Sequence, residues 1–284
     1  MPGVPLAEAL LPWWEATARD LPWRRTRDPW AILVSEVMLQ QTPVARVLPV
    51  YEAWLARWPT PAALAASPPG EAVRLWGRLG YPRRALRLHA AAVAVIAERG
   101  AFPTTLEGLL ALPGVGAYTA RAVASFAFGQ RHPVVDTNVR RVVARAVSGR
   151  AEAGPPSTAR DLAAVSALLP ERDAPVFGAA LMELGALVCT ARSPACPACP
   201  LRATCAWRLA GRPPYEGPRA KAQAWHGTDR QCRGALLAVL RDASAPVPDA
   251  ALSWPDEAQR RRALDGLLAD GLAVAVEGGF ALPG

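Results

Sequence analysis

The sequence predicts an all-α body followed by a small C-terminal domain of winged-helix pattern. Three observations carry that expectation. Apolar residues recur at gaps of three and four over most of the chain as far as Val188. Proline and glycine clusters, PTP at 59–61, SPPG at 67–70 and GPP at 154–156, break these runs at short intervals. Alternating apolar residues appear in the last stretch, GLAVAVEGGFALPG, where they suit a short hairpin.

The elements follow in order. Leu6–Arg19 is an amphipathic helix carrying Trp13 and Trp14. Pro29 is suited to open a helix that runs to Gln41. Pro43–Trp58 places Val44, Val47, Leu48, Tyr51, Leu55 and Trp58 on one helical face. Further helices fit Glu71–Leu79, Arg83–Glu98, Thr105–Ala111, Ala117–Phe128, Thr137–Val147, Ser157–Leu169 and Phe177–Val188. Residues 211–225, GRPPYEGPRAKAQAW, read as an irregular linker. Residues 233–284 then read as three helices and a hairpin, with Leu272, Val274 and Val276 alternating before a Gly278-Gly279 turn. The Arg260–Arg262 run on the third of these helices suits either a phosphate contact or a solvated charged face.

The chain has 284 residues, enough for one large or two modest domains, and Lys plus Arg exceed Asp plus Glu by 32 to 24, a net charge of +8. Nucleic acid is the first partner that such a surface suggests and acidic lipid or a polyanionic protein the next, although an arginine-rich composition alone produces the same excess. No apolar run approaches the roughly 18 residues of a membrane helix. The N-terminus lacks a basic start and apolar core, so a signal peptide is not expected and a cytoplasmic location is. Thiols stay reduced there, which favours a metal or cluster over disulfides for a cysteine group.

Four of the five cysteines form such a group. Cys189, Cys196, Cys199 and Cys205 follow the spacing C-x6-C-x2-C-x5-C. Four thiolates hold either tetrahedral zinc or a [4Fe–4S] cube. Structural zinc commonly uses two close pairs; a single C-x2-C with two lone ligands, stiffened by Pro194, Pro197 and Pro200, favours iron–sulfur. Cys232 lies outside the group and reads as a small apolar residue.

Two further stretches carry chemistry. LPGVGAYTARAV (residues 112–123) sets Gly114, Val115 and Gly116 between two helices. Glycines allow close backbone approach, and a helix N-terminus just beyond them offers N–H groups to an anion, although an ordinary interhelical turn has the same composition. PWAILVSEVMLQQT (residues 29–42) contains one charged side chain, Glu36. A carboxylate buried among apolar groups keeps its proton or finds a partner.

SEVMLQQT, the LPGVGAYTA string, PVVDTNVRRV (residues 133–142) and the cysteine spacing together resemble the endonuclease III superfamily, and within it the MutY-type adenine DNA glycosylases, over residues 5–210. The resemblance implies a two-lobed helix–hairpin–helix fold: a six-helix domain at 25–136, and an iron–sulfur domain at 1–24 and 137–210 with one [4Fe–4S] cluster on the four cysteines. The linker at 211–225 and the winged-helix-like domain at 226–284 follow. It implies removal of adenine mispaired with 8-oxoguanine or guanine in double-stranded DNA, by a monomer acting at the nucleoid and not at a membrane.

Residue by residue, Glu36 matches the acid that protonates adenine N7, and Asp136 the carboxylate that stabilises the sugar cation. Asp136 also suits a helix N-cap, and Asn138 helps arrange the site. Gln41 and Tyr81 match residues that wedge into the gap left by an extruded base. Thr42 and Leu79 match positions near 8-oxoguanine, and Trp23 and Arg24 match the adenine pocket. On the residues alone, Trp23, Leu79 and Tyr81 are equally core candidates. Tyr118 stands where bifunctional members carry a lysine, so strand cleavage is expected to be weak or absent.

The chain departs from the family in two places. The region after the cysteines is too short for the family's Nudix-like domain, so Leu79, Thr42 and the hairpin are expected to share 8-oxoguanine recognition, and the C-terminal domain to add DNA contacts. GYP replaces the family's GYY at residues 80–82. Two rivals remain at this level, a thymine or uracil glycosylase acting opposite guanine and a non-catalytic DNA-binding protein. A third, a cluster-based redox sensor, is neither favoured nor excluded by the sequence.

Overall fold

The computed structural model describes residues 4–98, 100–217 and 225–284. The body is helical. In chain order, α1 (Val4–Thr17) and a 3₁₀ turn at Pro22–Arg24 lead to α2 (Pro29–Leu39), α3 (Val44–Arg57), α4 (Pro61–Ala65), α5 (Pro69–Trp76) and α6 (Arg83–Ala97). Then come α7 (Leu106–Ala111), α8 (Ala117–Phe126), α9 (Thr137–Ala146), α10 (Thr158–Ser166) and α11 (Ala174–Leu187). A 3₁₀ turn at Cys196–Ala198 precedes α12 (Ala206–Leu209). The C-terminal region has α13 (Asp229–Asp242), a 3₁₀ turn at Asp249–Ala251, α14 (Glu257–Ala269), and β1 (Val274–Val276) paired antiparallel with β2 (Gly279–Ala281).

Packing divides the chain into two compact units. One comprises Met1–Ile32, Thr104–Leu109 and Gly116–Ala220. In it α1 and α9 both pack on α11, and Leu10, Val139, Phe177, Leu181 and Leu184 are buried in a shared core. The other comprises Leu33–Pro103, Leu110–Val115 and Lys221–Gly284, so residues 226–284 pack with the helices before the hairpin. Its core holds three buried indoles: Trp54 meets Trp58 and Trp76 edge-on, with ring centroids 4.8 and 5.8 Å apart. Such edge-to-face pairs set the positive rim of one ring against the negative face of the next.

Three expectations need correction. The PTP cluster at 59–61 is a helix start rather than a break: the Thr60 side chain accepts from the Ala63 N–H, and Pro61 supplies the first-turn φ of α4. The middle helix of the C-terminal domain is only the 3₁₀ turn Asp249–Ala251; the backbone leaves helical geometry at Leu252 (φ −85°, ψ 72°), and Pro255 just beyond could not continue a helix. Arg260 is neither a phosphate ligand nor a solvated charge; it is buried, pairing with Asp249 at 2.9 Å and Glu257 at 2.7 Å, while Arg261 is exposed. The linker expected at 211–225 lies partly outside the described residues; 211–217 contain no helix or strand. No helix among the described residues is long and apolar enough to cross a membrane.

Candidate active site and cysteine loop

The second unit carries Glu36 and the residues expected to meet the opposite base. Asp28 accepts hydrogen bonds from the Trp30 and Ala31 N–H groups at the start of α2. Beyond it the helix is buried on every side, and Glu36 is 7 % exposed within it. Its C-terminal end is tied down by Arg84 of α6. That guanidinium donates to the carbonyls of Val37 (2.9 Å), Met38 (3.3 Å) and Gln40 (2.6 Å), to Thr42 Oγ1 (3.1 Å) and to Gly80 O (3.0 Å). The carbonyls that a helix end leaves without intrahelical partners are thus satisfied by one buried cation. Burial pushes the Arg84 guanidinium down to about 10.

The same region separates Leu79 from Tyr81. Leu79 is core, at 4 % exposure, while Tyr81 is 52 % exposed and donates its hydroxyl to Gln41 Oε1 at 2.9 Å. Both partners hold left-handed backbone, φ 49° at Tyr81 and 54° at Gln41. Side-chain-bearing residues pay roughly 1–2 kcal/mol each for that conformation, and such strain concentrates at functional turns. Thr42 is buried, its hydroxyl donating to Leu79 O at 3.3 Å.

The first unit carries two buried carboxylates. Asp136 caps α9: Oδ1 accepts from the Val139 N–H at 2.7 Å and Oδ2 from Asn138 Nδ2 at 2.8 Å. Arg141 fixes Asn138 in turn, donating to its Oδ1 at 2.7 Å and to the carbonyls of Gly185 and Cys189, each at 2.7 Å. Burial pushes the Asp136 carboxyl up, and the hydrogen bonds from Val139 and Asn138 recover only part of that shift. Glu183 on α11, 1 % exposed, is clasped by Arg19 (2.6 Å) and Arg24 (2.8 Å). Burial works to raise its carboxyl as well, but the two guanidinium groups outweigh it and hold it at about 2. Arg24 also stacks on Trp14, 4.5 Å from the ring, and Trp23 beside it is half-buried.

The hairpin glycines differ from each other. Gly114 has φ 75°, and a Cβ there would lie 2.6 Å from Arg87 Cβ. Gly116 is extended and caps α8, with nothing within 4 Å of where its Cβ would be. Val115 is buried and its N–H closes the turn onto Leu112 O at 3.1 Å. Tyr118 sits in the first turn of α8.

Cys189, Cys196, Cys199 and Cys205 all line one small cavity, with Arg145 and Trp207 among its walls. Arg145 wraps the loop, donating to Thr190 O (2.7 Å) and Ala191 O (3.0 Å), with Nη1 3.5 Å from Cys189 Sγ. Burial pushes the Cys189 thiol up, and burial with the neighbouring sulfurs takes Cys199 to about 11. Among the described residues no three His, Cys, Asp or Glu side chains are grouped so as to hold a metal ion.

The chain is 59 % identical to the adenine DNA glycosylase of Mycobacterium tuberculosis over 282 residues, which cover 97 % of this chain and 92 % of that one. It belongs to the adenine DNA glycosylase family. The Mycolicibacterium smegmatis member is 57 % identical over 97 % of this chain and 95 % of its own. Residues 34–166 match the HhH-GPD superfamily of base excision DNA repair proteins, which settles the expected helix–hairpin–helix fold. Among solved structures, that of a thermostable thymine-DNA glycosylase superposes with a TM-score of 0.66 at 30 % identity, covering 73 % of this chain and 96 % of that one.

For this member of the adenine DNA glycosylase family, the reading of the sequence missed Arg84, Arg141, Arg145 and Glu183. Glu183 gave the same signal as Glu36, since each is the one charged residue of an apolar helix. The arginines gave none, because a buried arginine is recognised by carbonyls it meets far along the chain.

Proposed function

We propose that this chain, by family membership a base excision repair hydrolase of the N-glycosidic bond, takes as substrate adenine mispaired with 8-oxoguanine or guanine in duplex DNA, and that it leaves the abasic strand intact. The supporting observation is the buried acid Glu36, whose helix end is tied by Arg84 to the strained, exposed Gln41–Tyr81 pair. A carboxyl group shielded from water can hand a proton to adenine N7 and so turn a poor leaving group into a neutral one. Asp136, held by amides rather than by a guanidinium, keeps its negative charge for the oxocarbenium-like sugar. Tyr81 and Gln41 wedge into the gap from which the base is extruded. Trp23 and Arg24 line the adenine pocket, Thr42 and Leu79 lie near the opposite base, and Gly114, Val115 and Gly116 approach a phosphate through backbone N–H groups. Tyr118 offers no amine, so water rather than lysine takes the sugar carbon.

Cys189, Cys196, Cys199 and Cys205 would hold one [4Fe–4S] cluster, whose role is to fix the loop that contacts DNA. The enzyme acts as a monomer in the cytoplasm, where the chromosome lies. The test is single-turnover base release from A:8-oxoguanine, A:G and T:G duplexes, with Glu36→Gln as control. Adenine release should fall at least ~10³-fold in Glu36→Gln, with duplex binding kept. Release of thymine from T:G in preference to adenine would instead favour the activity named for the structural neighbour. Strand scission before alkali would overturn the monofunctional reading.

A further inference from the structure

Residues 226–284 were expected to add DNA contacts. Their charge argues otherwise. The segment holds six arginines, no lysine and eight acids, a net of −2 in a chain whose total is +8. All six arginines have a partner within the chain, those of Arg261 and Arg262 being exposed surface acids. Arg230 stacks on Trp225, Arg233 pairs with Asp270, and Arg241 donates to Val73 O. Arg260 and Arg261 pair with Glu257, and Arg262 with Asp229. A module that binds a polyanion carries more cations than acids.

What the segment does hold is the α5–α6 corner of its own unit. The Gly70 N–H near the start of α5 donates to Pro283 O at 2.7 Å. Only glycine fits there, because a Cβ would lie 2.4 Å from that oxygen and 2.8 Å from Leu282 Cβ. Along the same helix, Arg241 Nε donates to Val73 O at 3.1 Å. Just past the corner, Asp270 pairs with Arg83, the first residue of α6, at 3.1 Å. Both ends of the corner are therefore anchored to the C-terminal domain, and between them lies the turn 77–82 that carries Tyr81. Inside that turn Trp76 Nε1 and Arg84 both donate to Gly80 O, at 2.9 and 3.0 Å, and Arg46 donates to Arg78 O.

We infer that residues 226–284 are a brace that sets the geometry of the Tyr81 turn, a positioning element for base extrusion rather than a DNA-contacting module. The inference rests on the wedge role proposed above for Tyr81. Gly70→Ala and Asp270→Asn in the full-length protein test it, with two readouts. Amide hydrogen exchange over residues 77–82 of the free protein should accelerate about tenfold or more, while exchange in α3 stays as in the parent. Single-turnover adenine release from A:8-oxoguanine duplex should fall about tenfold, with affinity for undamaged duplex within about twofold. Asp270→Glu should restore both. Reversing Arg261 and Arg262 to glutamate should leave duplex affinity within about twofold.

Unchanged exchange at 77–82 in both variants overturns the brace, whatever the activity does. So does accelerated exchange with release at the parent rate, or a tenfold loss of duplex affinity on reversing Arg261 and Arg262. A parent protein inactive on every adenine duplex counts against the proposed substrate and leaves the exchange result to decide the brace.

Discussion

Asp136 and Glu183 are both buried carboxylates in the same compact unit, yet their surroundings push them in opposite directions. Glu183 is met by two guanidinium groups and titrates at about 2. Asp136 accepts hydrogen bonds from a backbone N–H and a side-chain amide only; the Arg141 guanidinium, which bonds Asn138 instead, acts on it through space, and burial leaves its carboxyl raised. Desolvation is common to both; direct hydrogen bonds from guanidinium groups, present at Glu183 and absent at Asp136, decide the outcome. A carboxylate neutralised by arginines has little charge left for a substrate and serves the fold. One held by uncharged donors is costly to ionise, and it recovers that cost when a cation forms beside it. The difference is the one expected between an acid that serves the fold and one that serves the proposed chemistry.

The sharpest way to break this comparison is Asp136→Asn. Asparagine caps a helix about as well as aspartate, so stability should stay within ~0.5 kcal/mol or rise. Adenine release should fall ~10²–10³-fold because the sugar cation loses its counter-charge. A variant that unfolded, or one that kept full activity, would place Asp136 with the structural acids. The pH dependence carries the same sign. Because the folded state raises the Asp136 pKa, ionisation works against folding as pH climbs through that raised value. The stability of Asp136→Asn relative to the parent should therefore grow from acid towards neutral pH.

Glu183→Gln is the converse. It leaves two partly buried arginines without their acid, and stability should drop by about 2–3 kcal/mol at neutral pH. Its folded pKa lies near 2, below the ordinary carboxylate value, so its contribution is fully present above about pH 4.5 and is lost as pH falls towards 2. The parent's acid unfolding should flatten across that window in the variant. A glutamine variant that melts with the parent would show that the clasp contributes nothing net.

The two acids also mark how far the sequence could be read. Asp136 was legible because its partners are local: a cap needs only the N–H three residues on, and Asn138 is two away. The cysteine loop was legible for the same reason. Glu183 was not, although it is the sole charge in an apolar helix just as Glu36 is, because Arg19 and Arg24 are 164 and 159 residues distant. Helices with a clean apolar period appeared near their expected bounds. α4 did not, because its five residues are too few to show a period and its cap, Thr60-Pro61, looks like a break. Leu79 and Tyr81 could not be told apart, since the left-handed turn that buries one and exposes the other is a backbone property.

The hairpin repeats the contrast on a smaller scale. Gly114 is needed by the fold: its φ of 75° and its approach to Arg87 leave no room for a side chain, so Gly114→Ala should cost roughly 2–4 kcal/mol of stability, strain and clash together. Gly116 has an ordinary φ and open space where a Cβ would stand, so Gly116→Ala should change stability by less than ~0.5 kcal/mol. Nothing inside the protein requires that residue to be glycine. If the open space is where a DNA phosphate approaches the α8 N-terminus, a methyl group there should weaken duplex binding about five- to tenfold at low salt. Thermal melts and duplex titrations of the two variants should then give opposite profiles, one losing stability with binding kept in proportion to folded protein, the other losing binding alone. Parent-like binding by Gly116→Ala would remove the phosphate from the hairpin and leave Gly116 without a role in either the fold or the site.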